Sequence, residues 1–141
     1  MRRLTVSILI LFLAVLAIVV PCLHGQTTDF SGSWGYDGIT DVDVGTPAQC
    51  TFTIILKQKG NKISGEYEAV ALNGNRIDYD PDGGNKIVGV ISGNIADVKF
   101  ESSGWGGKGN AKITHLGDKL MWEITKVVKP GFWCPKKVIL E

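Results

Sequence analysis

The chain has 141 residues, 44% of them hydrophobic and 21% charged, with 15 Lys+Arg against 14 Asp+Glu. That size allows one domain with a modest core, and so even a charge balance gives nucleic acid or an anionic membrane little to hold. The 18 glycines, and Thr, Val, Ile and aromatics spread evenly along the chain, favour strands over helices.

Arg2 and Arg3 precede an almost unbroken apolar run from Leu4 to Val20, which ends in Pro21-Cys22-Leu23-His24-Gly25-Gln26. A basic start, an apolar middle and an end in turn-forming and small residues are the plan of a secretory signal peptide, cut after Gly25 or Cys22. The alternative is an uncleaved membrane anchor, because a run of about 17 residues is near the lower limit for a spanning helix. Pro21 disfavours a lipoprotein cut before Cys22. Residues 1–25 are read as the signal peptide and 26–141 as a single domain, secreted or periplasmic. Losing Arg2 and Arg3 from the 15 leaves 13 basic side chains against 14 acidic ones.

Residues 26–33 form a polar lead-in, and Ser33 to Ile39, with Trp34 and Tyr36, suits a first strand. Asp37, Asp41, Asp43, Gly45 and Pro47 make a long acidic loop. Cys50, Phe52, Ile54 and Leu56 then alternate with mostly polar neighbours, and Ile63, Gly65, Tyr67 and Ala69 repeat the period after Lys59-Gly60-Asn61-Lys62. Two period-2 runs around a Gly-Asn turn predict a hairpin. Asn73 to Asn85 is irregular. A second hairpin is predicted over Lys86 to Ser92 and Ile95 to Glu101, about Gly93-Asn94. A Gly-rich connection, Ser102 to Gly109, carries Trp105. Ala111, Ile113 and His115 alternate, as do Leu120, Trp122 and Ile124, and Cys134 to Leu140 suits a short closing strand.

About eight strands joined mostly by tight turns predict an all-β fold, an eight-stranded antiparallel up-and-down barrel that is monomeric. With Cys22 gone, Cys50 and Cys134 are an even pair in an oxidising compartment. A disulfide between them is expected, closing a loop of about 85 residues; two free structural cysteines are the alternative.

Two short motifs carry a family resemblance. Phe30-Ser31-Gly32-Ser33-Trp34 resembles the Gly-x-Trp opening strand of lipocalins and avidins, and Ile63-Ser64-Gly65-Glu66-Tyr67 is similar to the third strand of avidin-type barrels. The likeness spans most of residues 30–127 and implies an eight-stranded barrel with a ligand site at one mouth. Tyr67 can stand for the family's third-strand tyrosine. Tyr36 and Thr40, however, stand where the family's biotin site has Asn and Ser, and Ala69 replaces another polar contact. The resemblance implies the fold and argues against biotin.

Few residues could perform chemistry. His115 is the one histidine left after the leader, with no Ser or free Cys at triad spacing, so an enzyme is not expected. Asp78, Asp80, Asp82 and Gly83 spell D-x-D-x-D-G, which could wrap a Ca²⁺ ion with oxygen ligands. Against that, Pro81 stiffens the loop and the twelfth position is Gly89 rather than Glu; a hydrophilic turn gives the same letters. Trp34 and Trp122 suit core packing, and Trp133, beside the expected disulfide, suits packing too. Trp105, between Gly104 and Gly106, has little local core to join and suits a lid over a barrel mouth or an anchor at a protein interface.

The eight lysines from Lys99 to Lys137 outnumber Glu101, Asp118 and Glu123, whereas the Asp29–Asp43 segment is acidic. Such polarity could steer a charged partner, or be no more than a solvated surface. The leading expectation is non-enzymatic binding of a small, partly apolar molecule at one mouth, near Tyr36, Tyr67, Phe100, Trp105 and Trp122. The alternative is a protein-binding module, such as a periplasmic inhibitor of a secreted or cell-wall enzyme. An inert structural piece of an envelope assembly is a third possibility.

Overall fold

In the computed structural model, which describes residues 28–42 and 46–141, nine strands form one antiparallel sheet rolled into a nearly closed barrel. The strands are β1 (Gly32–Thr40), β2 (Ala48–Lys59), β3 (Lys62–Ala71), β4 (Arg76–Asp78), β5 (Lys86–Ser92), β6 (Ile95–Glu101), β7 (Lys108–His115), β8 (Leu120–Lys129) and β9 (Lys137–Leu140). The expected leader at 1–25, and Asp43 and Gly45 of the acidic loop, lie outside the described residues. Around the barrel the order is β1-β2-β3-β5-β6-β7-β8-β9, and β4 pairs with the end of β3. The seam is held by Gly35 and Glu141, whose N–H groups each donate to the other's carbonyl at 2.9 Å.

Local chemistry explains the hairpins. Cys50, Phe52, Ile54 and Leu56 of β2 face inward, as do Ile63, Tyr67, Ala69 and Ala71 of β3. Gly60 and Gly93 open the two-residue turns with φ of 62° and 61°, the positive value that a type II′ turn requires of its first central residue. Gly65 has a different purpose. A Cβ there would sit on the Ile55 carbonyl oxygen and crowd the Leu56 side chain, so its lack of a side chain lets β3 run close to β2.

The lumen is packed. Phe52 lies 5.1 Å from Trp122 and 6.0 Å from Tyr67; Phe100 lies 5.4 Å from Trp122 and 4.8 Å from Phe132, all ring centre to ring centre. Ile54, Leu56, Ile63, Ile87, Ile113, Leu120 and Leu140 fill the space around them. The end carrying the tight turns is plugged. Phe30 is fully buried there, its N–H donates to Gln58 Oε1 at 2.9 Å, and its carbonyl accepts from Trp34 Nε1 at 3.0 Å. The His115 ring meets Phe30 edge-on at 5.4 Å and Trp34 at 6.1 Å, and its Nε2 donates to the Asp29 carbonyl. The lead-in from residue 28 on, polar on average, is therefore a stopper built on one aromatic.

Other departures have local causes. β4 was hidden because three residues are too few to display a period. β7 starts at Lys108 rather than Ala111 because its ladder with β6 continues through Phe100↔Gly109 and Glu101↔Lys108. β9 starts only at Lys137, since residues before it belong to a loop. The expected Cys50–Cys134 disulfide is not present: both are free, buried thiols, and Cys134 sits in that loop beside the Tyr67 hydroxyl.

Candidate functional site at the long-loop end

The up-and-down order sends every long connection to one end of the barrel. The β1–β2 loop, the β3–β5 connection with β4, the β6–β7 loop and the β8–β9 loop all lie there. Three of them, all but the β1–β2 loop, are gathered by one side chain. Asp78 is fully buried at the end of β4, and its carboxylate accepts four hydrogen bonds. Oδ1 takes Asn85 Nδ2 at 3.0 Å and Ser102 Oγ at 2.7 Å, while Oδ2 takes Tyr67 Oη at 3.1 Å and the Trp133 N–H at 2.9 Å. Among the described residues no cation pairs with it. Neutral donors from four separate segments occupy its acceptor sites, which is what makes a buried carboxylate tolerable.

Two tryptophans are set by this clasp. The Trp133 backbone is bound to Asp78 directly, and the Trp105 N–H donates at 3.2 Å to the same Ser102 hydroxyl that donates to Asp78. Trp105 Nε1 donates to the Ile77 carbonyl at 2.8 Å, which fixes the indole against β4. The indoles meet edge to face at 5.6 Å, and the Arg76 guanidinium lies 5.2 Å from the Trp133 ring and 5.9 Å from that of Trp105. Trp105 is nevertheless 46% exposed, beside Ile77 at 58%. A rigid, half-exposed aromatic cluster with an arginine is what results.

The expected ligand residues divide. Tyr67, Phe100 and Trp122 do come together, but as mutually packed core side chains 3%, 2% and 0% exposed. Tyr36 is half-buried on β1, its hydroxyl donating to the Ile39 carbonyl at 3.1 Å, and Trp105 stands outside the lumen. The calcium pattern is not assembled. Asp78 points inward and is satisfied by the protein, whereas Asp80 accepts from Ser103 Oγ at 2.6 Å and from the Asp82 N–H. No group of three or more His, Cys, Asp or Glu capable of holding a metal occurs among the described residues.

Burial keeps the two thiols and the Tyr67 phenol neutral. Burial, then the charge of Asp37, pushes the Cys50 thiol up to about 11. Burial, then the charge of Asp78, pushes Cys134 well above an ordinary thiol, and burial with its Cys134 and Asp78 neighbours raises the Tyr67 phenol far above its usual range. Neither thiol is an activated nucleophile. The Ser103 hydroxyl, and then the Asp82 N–H, hold the Asp80 carboxyl below its usual value.

No family model, curated protein or solved structure matches this chain. The likeness to lipocalins and avidins therefore rests on the nearly closed antiparallel barrel and the two short motifs. Sequence reasoning missed Arg76, Asn85 and Ser102, which carry no motif, and Phe30 as a plug; Trp105 was legible because glycines isolate it from any local core.

Proposed function

We propose that this chain is an exported, non-enzymatic binding module that recognises a protein partner through the outside of its barrel, with Trp105 as the anchor. The observation that carries the reading is a packed lumen beside a half-exposed, rigidly held Trp105. Tyr, Trp and Arg dominate the energetics of protein interfaces, and side chains fixed before contact lose little entropy on binding. A small apolar ligand at the mouth would instead have to displace the packed Tyr67, Phe100 and Trp122 rings. An inhibitor of a secreted or cell-wall enzyme is one form that such a module takes, by analogy with other small secreted barrels. The Cys50–Cys134 bridge belongs to the same proposal: the two buried thiols are electrostatic neighbours, Cys134 lies beside Tyr67 and Asp78 at the long-loop end, and export would expose them to oxidant.

The test is retention of a partner from the extracytoplasmic fraction by the immobilised domain, followed by calorimetry with the purified partner. Trp105→Ala is expected to weaken binding by about 2 kcal/mol, roughly thirtyfold, with thermal stability little changed. Equal affinity of Trp105→Ala and wild type would overturn the reading. So would saturable uptake of an apolar fluorophore that quenches Trp122.

A further inference from the structure

The outer surface of β5 to β8 carries a charge pattern that the fold does not require. The registers place Lys86, Glu101, Lys108 and Lys129 in one row across the strands, and Val88, Lys99, Asn110 and Lys126 in the next. Glu101 pairs with Lys108 at 3.2 Å, and Lys86, Lys99, Lys126 and Lys129 have no carboxylate partner among the described residues. The row beyond is different. There Asp97, Lys112, Glu123 and Lys137 alternate in sign, with Glu123 contacted by Lys112 at 3.9 Å and Lys137 at 3.8 Å. The excess of positive charge is thus confined to the two rows nearest the long-loop end.

Those rows are also hollowed. A groove of about 510 Å³ runs between them, walled by Val88, Val128 and the lysine stems, with Phe100 and Gly109 beneath. Its depth has a local cause. The β7–β8 ladder slips at Lys108/Gly109 and again at Asn110/Ala111, and the Phe100 ring packs so close under Gly109 that a Cβ there would collide with it. Strands stand about 4.8 Å apart, so Lys99 and Lys126, separated by β7, leave the sheet about 10 Å from each other. That spacing suits a chain of several anions with apolar groups between them better than one small anion. The Trp105 loop reaches the first of these rows: a Cβ on Gly106 would lie 3.7 Å from Lys129 Nζ.

We infer that this groove receives an acidic, partly apolar peptide segment of the protein partner, carboxylates on Lys86, Lys99 and Lys126 and apolar side chains against Val88 and Val128. The inference rests on the reading that the barrel binds through its exterior, and adds the chemistry of what it binds. Charge complementarity of this kind sets specificity and association rate and weakens with salt.

The probe is a fluorescein-labelled octapeptide alternating Glu and Val, followed by anisotropy at low ionic strength. Binding is expected to weaken at least about tenfold in Lys99→Glu/Lys126→Glu, and by less in Lys99→Gln/Lys126→Gln, which places no carboxylate beside Glu101. The control Lys59→Glu/Lys62→Glu makes the same charge change beside the Gly60-Asn61 turn, at the tight-turn end of the barrel, and is expected to bind as wild type. Equal loss in both Glu variants would reduce the effect to net charge and overturn the inference. So would absence of peptide binding, or binding of a sulfated polysaccharide or anionic vesicles in the peptide's place. If the Trp105-dependent partner binds Lys99→Glu/Lys126→Glu at wild-type affinity, the groove fails and the proposed function stands; if Trp105→Ala alone has no effect, the reverse holds.

Discussion

Replacing Asp78 with Ala leaves the Tyr67 hydroxyl, the Asn85 amide, the Ser102 hydroxyl and the Trp133 N–H without their acceptor in a closed space. Losing the centre of a buried polar network costs about 3–5 kcal/mol, and urea unfolding of Asp78→Ala is expected to show a loss of that size. Asp78→Asn should lose less, since its one remaining carbonyl oxygen still accepts. A loss below about 1 kcal/mol would mean that the clasp is dispensable. None of this was readable in the letters. Alternating Asp with Pro and Gly is the composition of a solvated turn, and only pairing with β3 turns the first of the three carboxylates inward. Trp105 was readable for the opposite reason: an indole between glycines has no neighbours of its own to pack on, whatever the fold.

At the level of strands, the hairpins were legible because period 2 and a Gly-Asn turn are local signals that tertiary context seldom overrides. β2, β3, β5 and β6 follow them closely. The start of β7 was not, because Gly107 and Gly109 interrupt the alternation for a reason outside the strand: a Cβ at Gly109 would collide with the Phe100 ring, and one at Gly107 with the Gly131 carbonyl. The same logic makes Gly65 testable. Gly65→Ala forces β3 away from the Ile55 carbonyl, and a destabilisation of about 1–3 kcal/mol is expected by thermal unfolding. Gly74→Ala separates close approach from backbone freedom: Gly74 has φ of 88° but nothing within 4 Å, so its cost is conformational strain alone.

The molecule as a whole should be sensitive to alkali. Burial favours the protonated Cys50 thiol, raising it from 9.0 to about 11, so the unfolded chain releases this proton first. The associated stability is complete below about pH 9 and is lost as pH climbs toward 11; Cys134 and Tyr67 shift in the same direction. Urea midpoints across that range should fall for the reduced protein, and fall less steeply for Cys50→Ser. Oxidation to a Cys50–Cys134 bridge removes both thiols, so an exported sample carrying it should lose the thiol part of this slope. The seam between Gly35 and Glu141 has a consequence of another kind. Its two halves come from opposite ends of the domain, so during synthesis β1 must wait, with an open edge, for β9 to arrive. Folding dominated by such distant pairings is slow, on the order of milliseconds to seconds, and the interval before closure is when a nascent strand edge is open to capture by a chaperone or by another copy of itself.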